Sequence, residues 1–478
     1  MRPGLLLSCS LVAALAAPVL AATPVVLTVP AKPMHRPDEV LGSQVIYLNN
    51  CAGGCVVKPG STDASADTSE LVQQQALFNE YAWMPGEWEQ VVQCVKEVYS
   101  PFDVTVTDVR PTGSFNEAIV AGNPQDVGLP MGVGGVGQLT SDCSPLTNAV
   151  SFAFAESAVD TFAQEDGNNR VWGICWVISQ EVAHLYGLDH EYEFTDMTSA
   201  CNDPMTYRPD CGGEKFFRNK PAQCGEFGPP RTCKCGGLQN SHAKLLSLFG
   251  PGQSIVPAPT SMILAPSGGT VAAGFVVSAS AGSARGVEKV ELWLNGHAWL
   301  TVPGNAFGNM GQPNPSSYSL IAPSNVPDGV IDVVVKAYDD LGIETDSAPV
   351  TVTKGAACAS AASCLTGQKC DAGKCYWDPP TGMLGDTCTF NEFCVTGMCQ
   401  NSDIGQYCTQ SCVVNSSDAC PPMFGCIATS DTQGVCLPND AGSSGCCSVG
   451  RESSRAVWAH IGLGLFVFGL VFRRRRRR

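Results

Sequence analysis

Glu181, His184 and His190 are spaced for metal chemistry. His184 lies one helical turn beyond Gln180, so the two side chains share a helix face. Gly187 supplies a stop at which that helix can end, and His190 follows close enough for the chain to fold back onto the same face. Imidazoles presented this way grip a transition metal such as Zn²⁺, and a carboxylate at Glu181 is placed to take a proton from a water activated by the ion. Gln180 to His190 follows the zinc-binding pattern H-E-x-x-H-x-x-G-x-x-H at every marked position except the first, where Gln180 stands in place of His. A neutral amide oxygen is a weaker zinc ligand than an imidazole. Three arrangements remain open. Gln180, His184 and His190 hold one catalytic Zn²⁺; or Tyr207, Glu191 or His242 completes the site; or the site is empty and the fold serves binding.

The elements that must carry these residues are legible in part. Trp88, Val91, Val92, Val95 and Val98 recur with helical period and predict an amphipathic helix over Gly86–Tyr99, ended by Pro101. Strands are expected at Gln44–Asn50, Phe102–Val106, Ala118–Ala121 and Ala149–Ala155, and the site helix at Val171–Tyr186. The glycine-rich run Pro130–Gly137 lacks the Lys-Ser/Thr ending and following helix of a phosphate loop, and reads as a turn-rich connection. Ten cysteines between Cys51 and Cys235 predict up to five disulfides of undetermined pairing.

This order of elements, with Glu191 directly after the third ligand position and the turn Asp203-Pro204-Met205-Thr206-Tyr207 downstream, resembles the metzincin zinc peptidases, with features of their astacin-like branch. The closest overall likeness is to myxobacterial surface metalloproteases. The resemblance covers roughly residues 42–250. It implies an α+β peptidase fold, a floor under the metal at Met205, and a metal- or oxyanion-binding role for Tyr207. It implies Glu181 as the base in the hydrolysis of peptide bonds in extracellular proteins. The altered ligand also admits a catalytically impaired peptidase fold acting as a surface adhesion or binding protein.

Both ends read as targeting signals. Residues 1–21 have the charged start, apolar middle and small-residue end of a secretory signal, and 22–41 reads as a linker or short pro-segment. Residues 456–472 form an almost uncharged apolar run, closed by the arginines at 473–478, that predicts a transmembrane helix with a cytoplasmic Arg cluster. With Cys446 and Cys447 ahead of it, in the linker 439–455, this end resembles the myxobacterial C-terminal sorting tail (MYXO-CTERM type). That implies a protein exported to the cell surface and held at a membrane by the tail. Net charge is −16 even with six terminal arginines, and so acidic a surface repels nucleic acid. Export makes disulfides, not metal-thiolate sites, the expected state of most of the 25 cysteines.

Between these ends, 251–259 is a linker. Residues 260–354 alternate in β-forming residues and contain Asn295-Gly296, a hairpin signal. They predict a β-sandwich resembling bacterial Ig-like modules, read as a spacer or adhesion module. Residues 358–438 hold twelve cysteines and few large apolar side chains, a disulfide-stapled stalk in which Cys388 and Cys394 repeat the spacing of Cys358 and Cys364. The expected fold class is therefore multidomain: α+β peptidase block, Ig-like β-sandwich, small disulfide-rich domain and C-terminal transmembrane helix.

Overall fold

The computed structural model describes residues 27–29 and 42–438, apart from 158–169, 209–210, 212, 306–313, 403–404, 415–419 and 431. The chain divides into two units, one running to Leu365 and taking in Lys369–Tyr376, the other holding Thr366–Gln368 and Trp377 onward.

The first unit opens with β1 (Leu27–Val29), β2 (Val45–Asn49), β3 (Cys55–Pro59), β4 (Thr68–Ser69), β5 (Ala76–Phe78) and helix α1 (Glu87–Tyr99). Then come β6 (Thr105–Thr107), β7 (Asn116–Val120), β8 (Gly135–Val136), β9 (Gln138–Thr140), β10 (Val150–Ala153) and helix α2 (Arg170–Leu185). Strands β11 (Glu191–Phe194) and β12 (Ala222–Cys224) and helix α3 (Ser241–Phe249) complete this part. One sheet has the order β6-β2-β7-β10-β8, parallel except for the antiparallel edge β8.

Alternation along these strands divides the core into two layers. Ile46, Leu48, Ala118, Val120 and Ala153 join Val91, Val95 and Val98 of α1 and Ile174, Ile178 and Val182 of α2. Tyr47, Ile119, Phe152 and Phe154 face the other way, onto Val57, Val72 and Phe78. The helical period at Trp88–Val98 thus marks the buried side of α1. Cys94–Cys175 fastens α1 to α2 across 81 residues, a closure that restricts the unfolded chain by about 4 kcal/mol. The five pairings in this part are Cys51–Cys55, Cys94–Cys175, Cys143–Cys235, Cys201–Cys211 and Cys224–Cys233.

Two further sheets share one core. β13 (Thr260–Ala265), β15 (Val276–Gly282) and β18 (Ser316–Ile321) form one. The other has the order β14 (Gly269–Val271), β21 (Val350–Lys354), β19 (Gly329–Tyr338), β16 (Lys289–Leu294), β17 (His297–Pro303), with β20 (Glu344–Asp346) also on β19. Val277, Ala279 and Leu320 meet Val290, Leu292, Val333 and Val335 between them. Asn295 and Gly296 both take positive φ, 49° and 80°, the backbone that a two-residue hairpin requires. The cysteine-rich region pairs as Cys358–Cys370 with Cys364–Cys375, Cys388–Cys399 with Cys394–Cys408, and Cys412–Cys426 with Cys420–Cys436. Each group of four joins first to third and second to fourth, so the twofold repeat in the sequence is threefold in its pairing.

The expected fold class needs correction. The chain is mainly β, 36% strand against 15% helix, distributed over many small sheets and disulfide-rich segments, and not an α+β peptidase block followed by an Ig-like sandwich and a membrane helix. Short strands closed by disulfides carry much of the chain that helical periodicity could not report. No helix among the described residues is long and apolar enough to cross a membrane. The run 456–472 expected to do so, the signal 1–21 and the sorting-tail residues Cys446 and Cys447 lie outside the described residues.

Candidate functional site

Helix α2 is buried from Gly173 to its end, which brings Gln180, Glu181 and His184 out of solvent. It stops at Gly187, where φ is +83° and a Cβ would lie 2.1 Å from the Cys143 carbonyl oxygen. Only glycine satisfies both conditions. The return loop then places His190 beside His184, with their Nε2 atoms 2.9 Å apart and both rings at most 1% exposed.

The other ring nitrogens are held differently. His184 Nδ1 lies 2.7 Å from the Leu188 carbonyl oxygen, so it carries the proton and donates. His190 Nδ1 faces Glu226 Oε1 at 3.5 Å and makes no closer hydrogen bond. Burial drives both imidazoles to the neutral form. It pushes His184 down to about 3, with His190 beside it adding to the shift, and it lowers His190 against the opposing pull of Glu226. A neutral imidazole has one N–H. With its proton on Nδ1, His184 presents a bare Nε2 to His190. A proton on His190 Nε2 makes the contact a hydrogen bond, whereas one on Nδ1, toward Glu226, turns two lone pairs to each other, an arrangement that a cation between them relieves.

Gln180 donates from Nε2 to the Thr206 carbonyl at 3.1 Å, which leaves its Oε1 as the atom available to an ion. Glu181 accepts from the Gly137 backbone N–H, and burial raises its pKa well above the usual carboxylate range; its Oε2 is buried without a partner. The two imidazole nitrogens are donors of the kind Zn²⁺ takes; the Gln180 amide oxygen is a weaker one.

The turn after β11 lies against α2. Trp176 Nε1 donates to Pro204 O at 3.0 Å, Glu191 N to Met205 O at 2.8 Å, and Met205 N to Asp203 Oδ1 at 2.8 Å. Met205 is fully buried. The Tyr207 ring stands edge-on to His190, centroids 4.4 Å apart. The sequence-predicted residues Gln180, Glu181, His184, His190, Met205 and Tyr207 are thus assembled in one place. The two other candidate ligands each make a contact of their own and keep one buried atom without a partner, Glu191 Oε2 and His242 Nδ1. Glu191 accepts from Gln239 Nε2 at 3.1 Å, with its pKa raised by burial and by Asp203. His242 packs on Phe102, centroids 5.1 Å apart.

Two contributions escaped the sequence reading. The run Pro130–Gly137 is more than a connection. A Cβ at Gly135 would meet Glu181 Cγ at 2.5 Å, and one at Gly137 would meet the Glu181 carbonyl oxygen at 2.3 Å. The glycines let the edge strands close on the site helix, and their clustering was the available signal. The second is Glu226, with Arg231. Arg231 pairs with Asp189 through Nη1 at 2.6 Å and Nη2 at 2.9 Å, and with Glu226 Oε1 at 2.5 Å. Contact with His190 and with Arg231 holds Glu226 down to about 2. Burial pushes Asp189 up, but Arg231 and backbone N–H groups outweigh it and hold its pKa low. No sequence motif marks this group; its only trace is the bracketing pair Cys224 and Cys233.

The clusters of three cysteines in the stalk that could ligate a metal are committed to disulfides.

No family model matches the chain, and no curated protein matches it. Among solved structures it is similar to the fibronectin(III)-like modules of Clostridium thermocellum CbhA, at 16% identity over 20% of this chain and 95% of that one, with a TM-score of 0.15. It is also similar to catalytically inactive OgpA from Akkermansia muciniphila in complex with an O-glycopeptide, at 10% identity over 51% of this chain and 66% of that one, with a TM-score of 0.15. At these TM-scores neither likeness carries an argument about fold or activity.

Proposed function

We propose that the chain is an exported, cell-surface zinc-dependent endopeptidase acting on extracellular proteins or peptides, with the ion held by His184, His190 and Gln180. The observation that carries this reading is the pair of Nε2 atoms 2.9 Å apart, each on a ring whose other nitrogen is turned to an oxygen. When bound, Zn²⁺ would polarise the scissile carbonyl and acidify a water. Glu181 takes the proton at Oε2 and returns it to the leaving amine. Its raised pKa brings the carboxyl nearer the range in which it can both accept and donate. The Gly137 N–H keeps the carboxylate oriented. Tyr207, fixed against His190, supplies a phenol to a developing oxyanion. The many disulfides support an oxidising, extracellular setting.

Metal analysis of the purified full chain tests the reading, together with casein hydrolysis by wild type and Glu181→Gln. One zinc per chain, lost in His184→Ala, with hydrolysis abolished in Glu181→Gln, is expected. A second reading, a binding protein on a site that no longer turns over, is favoured by the commitment of the Gln180 amide to Thr206. It gains if zinc is present and casein stays intact. Absence of zinc overturns the first reading.

A further inference from the structure

The two histidines of the site are supported differently. His184 Nδ1 rests on a neutral backbone carbonyl, that of Leu188. His190 is held at three points, two of them facing carboxylates. Its backbone N–H donates to Asp189 Oδ1 at 2.9 Å, its carbonyl accepts from Gly225 N at 2.9 Å, and its Nδ1 faces the Glu226 carboxylate. Arg231 ties the first and last of these together, binding Asp189 and Glu226 at once.

The loop carrying Glu226 is itself restrained. Cys224 and Arg231 exchange backbone hydrogen bonds of 2.9 and 2.6 Å, and Cys224–Cys233 closes the same loop covalently. Such a loop holds a carboxylate at one place behind the imidazole.

We infer that Glu226, held by Arg231, is a positioning residue that fixes the Nδ1–H tautomer of His190, aims Nε2 into the site, and strengthens it as a metal donor. A carboxylate behind a ligating imidazole increases its basicity and locks its ring, and loss of such a partner weakens metal binding about 10–100-fold. The effect matters more here than in a site with three imidazoles, because Gln180 contributes a neutral oxygen. Asp189, His190 and Glu226 come close enough to hold an ion themselves, but Arg231 already pairs with both carboxylates, and the two histidines converge on the other side, through Nε2.

This inference rests on the zinc reading above. The alternative is a purely mechanical part, in which Glu226 and Arg231 only clamp the Gly225–Arg231 loop. Zinc affinity by chelator competition and the metal-free Tm, measured on the full chain, separate the two. For Glu226→Gln, zinc affinity is expected to fall about 10–100-fold while the metal-free Tm stays near that of wild type. Glu226→Asp, which keeps the charge, is expected to recover part of the lost affinity. It also serves as the comparison if the Gln variant does not fold. Wild-type zinc affinity in Glu226→Gln, with or without a lower Tm, or an affinity in Glu226→Asp no higher than in Glu226→Gln, overturns the inference and leaves the zinc reading standing. A wild-type chain that takes up no zinc overturns the zinc reading, and the inference with it.

Discussion

Gln180 Nε2 donates to the carbonyl oxygen of Thr206 at 3.1 Å, which binds the residue at the first ligand position to the turn carrying Met205. The substitution that weakens the ligand set therefore also joins helix to turn. Gln180→His is expected to raise zinc affinity at least tenfold by adding a third imidazole. The same change leaves the Thr206 carbonyl without its donor, at a stability cost of about 1–2 kcal/mol in the metal-free protein. Chelator competition and urea unfolding measure the two effects. Unchanged zinc affinity in Gln180→His would show that this face of the helix no longer addresses a metal.

Gly187 sets where the site helix ends. Its φ is +83°, and the Cys143 carbonyl oxygen lies 2.1 Å from the place an alanine methyl would take. Gly187→Ala therefore combines backbone strain with a backbone clash. A loss of several kcal/mol is expected, because the chain must shift to relieve both. The return loop shifts with it, so zinc binding falls as well. The paired measurement is Tm and zinc content. An alanine variant with both unchanged contradicts the assignment of Gly187 as an obligatory stop.

Much of this frame can be read without coordinates because it is encoded locally. Trp88 to Val98 report the buried face of α1, Gly187 the helix stop, and Asn295-Gly296 the hairpin. What could not be read depends on contacts distant in sequence. Glu226 is held beside His190 on a loop closed by the Cys224–Cys233 disulfide and the Cys224–Arg231 backbone pair, and ten cysteines leave the pairing undetermined. Gly135 and Gly137 matter through what lies above them on α2, which no local pattern states. The strands after residue 260 run to ten residues and show their alternation in the sequence, whereas those of the disulfide-bonded segments are mostly two to five residues long and give period-2 alternation little room to appear.

Glu117, in the central strand β7, is 1% exposed, and burial lifts its pKa to about 7 against the opposing hydrogen bond from Asn49. The folded state therefore holds a proton at Glu117 that the unfolded chain releases near pH 4.5. Its contribution to stability is present below the unfolded pKa and is lost as pH rises from about 4.5 through about 7. The loss amounts to roughly 3 kcal/mol across that window. Glu117→Gln is expected to flatten this slope, keeping Tm steadier between pH 5 and pH 8. Parallel Tm–pH curves for the two proteins would remove Glu117 as the source.

Asp340 joins the sheets after residue 260 to the site-bearing part of the first unit. Its carboxylate accepts from Arg285 Nε at 2.7 Å and Nη2 at 2.8 Å, and Arg218 Nη1 lies 3.4 Å away. Arg218 N in turn donates to Asp203 Oδ2 at 2.8 Å, and Asp203 anchors Met205. Removing the charge at Asp340 strands two buried guanidinium groups, which costs about 3–5 kcal/mol. Asp340→Asn is therefore expected to lower Tm and to reduce zinc affinity, although it lies outside the site. A Tm within a degree of wild type would show the junction to be dispensable.

Leu27–Val29 runs parallel to Gln138–Thr140, with Leu27 opposite Gln138 and Val29 opposite Thr140. The neighbouring Gly137 donates its N–H to Glu181. The paired backbone edge beside Glu181 is therefore covered by a segment of the same chain. An extended peptide that adds to an open strand edge needs those same N–H and C=O groups. If the chain is the zinc peptidase proposed above, deleting residues 22–41 is accordingly expected to raise kcat/KM on unfolded protein substrates several-fold, mainly through a lower KM, while zinc content is unchanged. The deletion leaves the site residues themselves intact, so a change confined to KM isolates the strand edge from the metal. Equal KM before and after deletion would mean that β1 lies clear of the path a substrate takes.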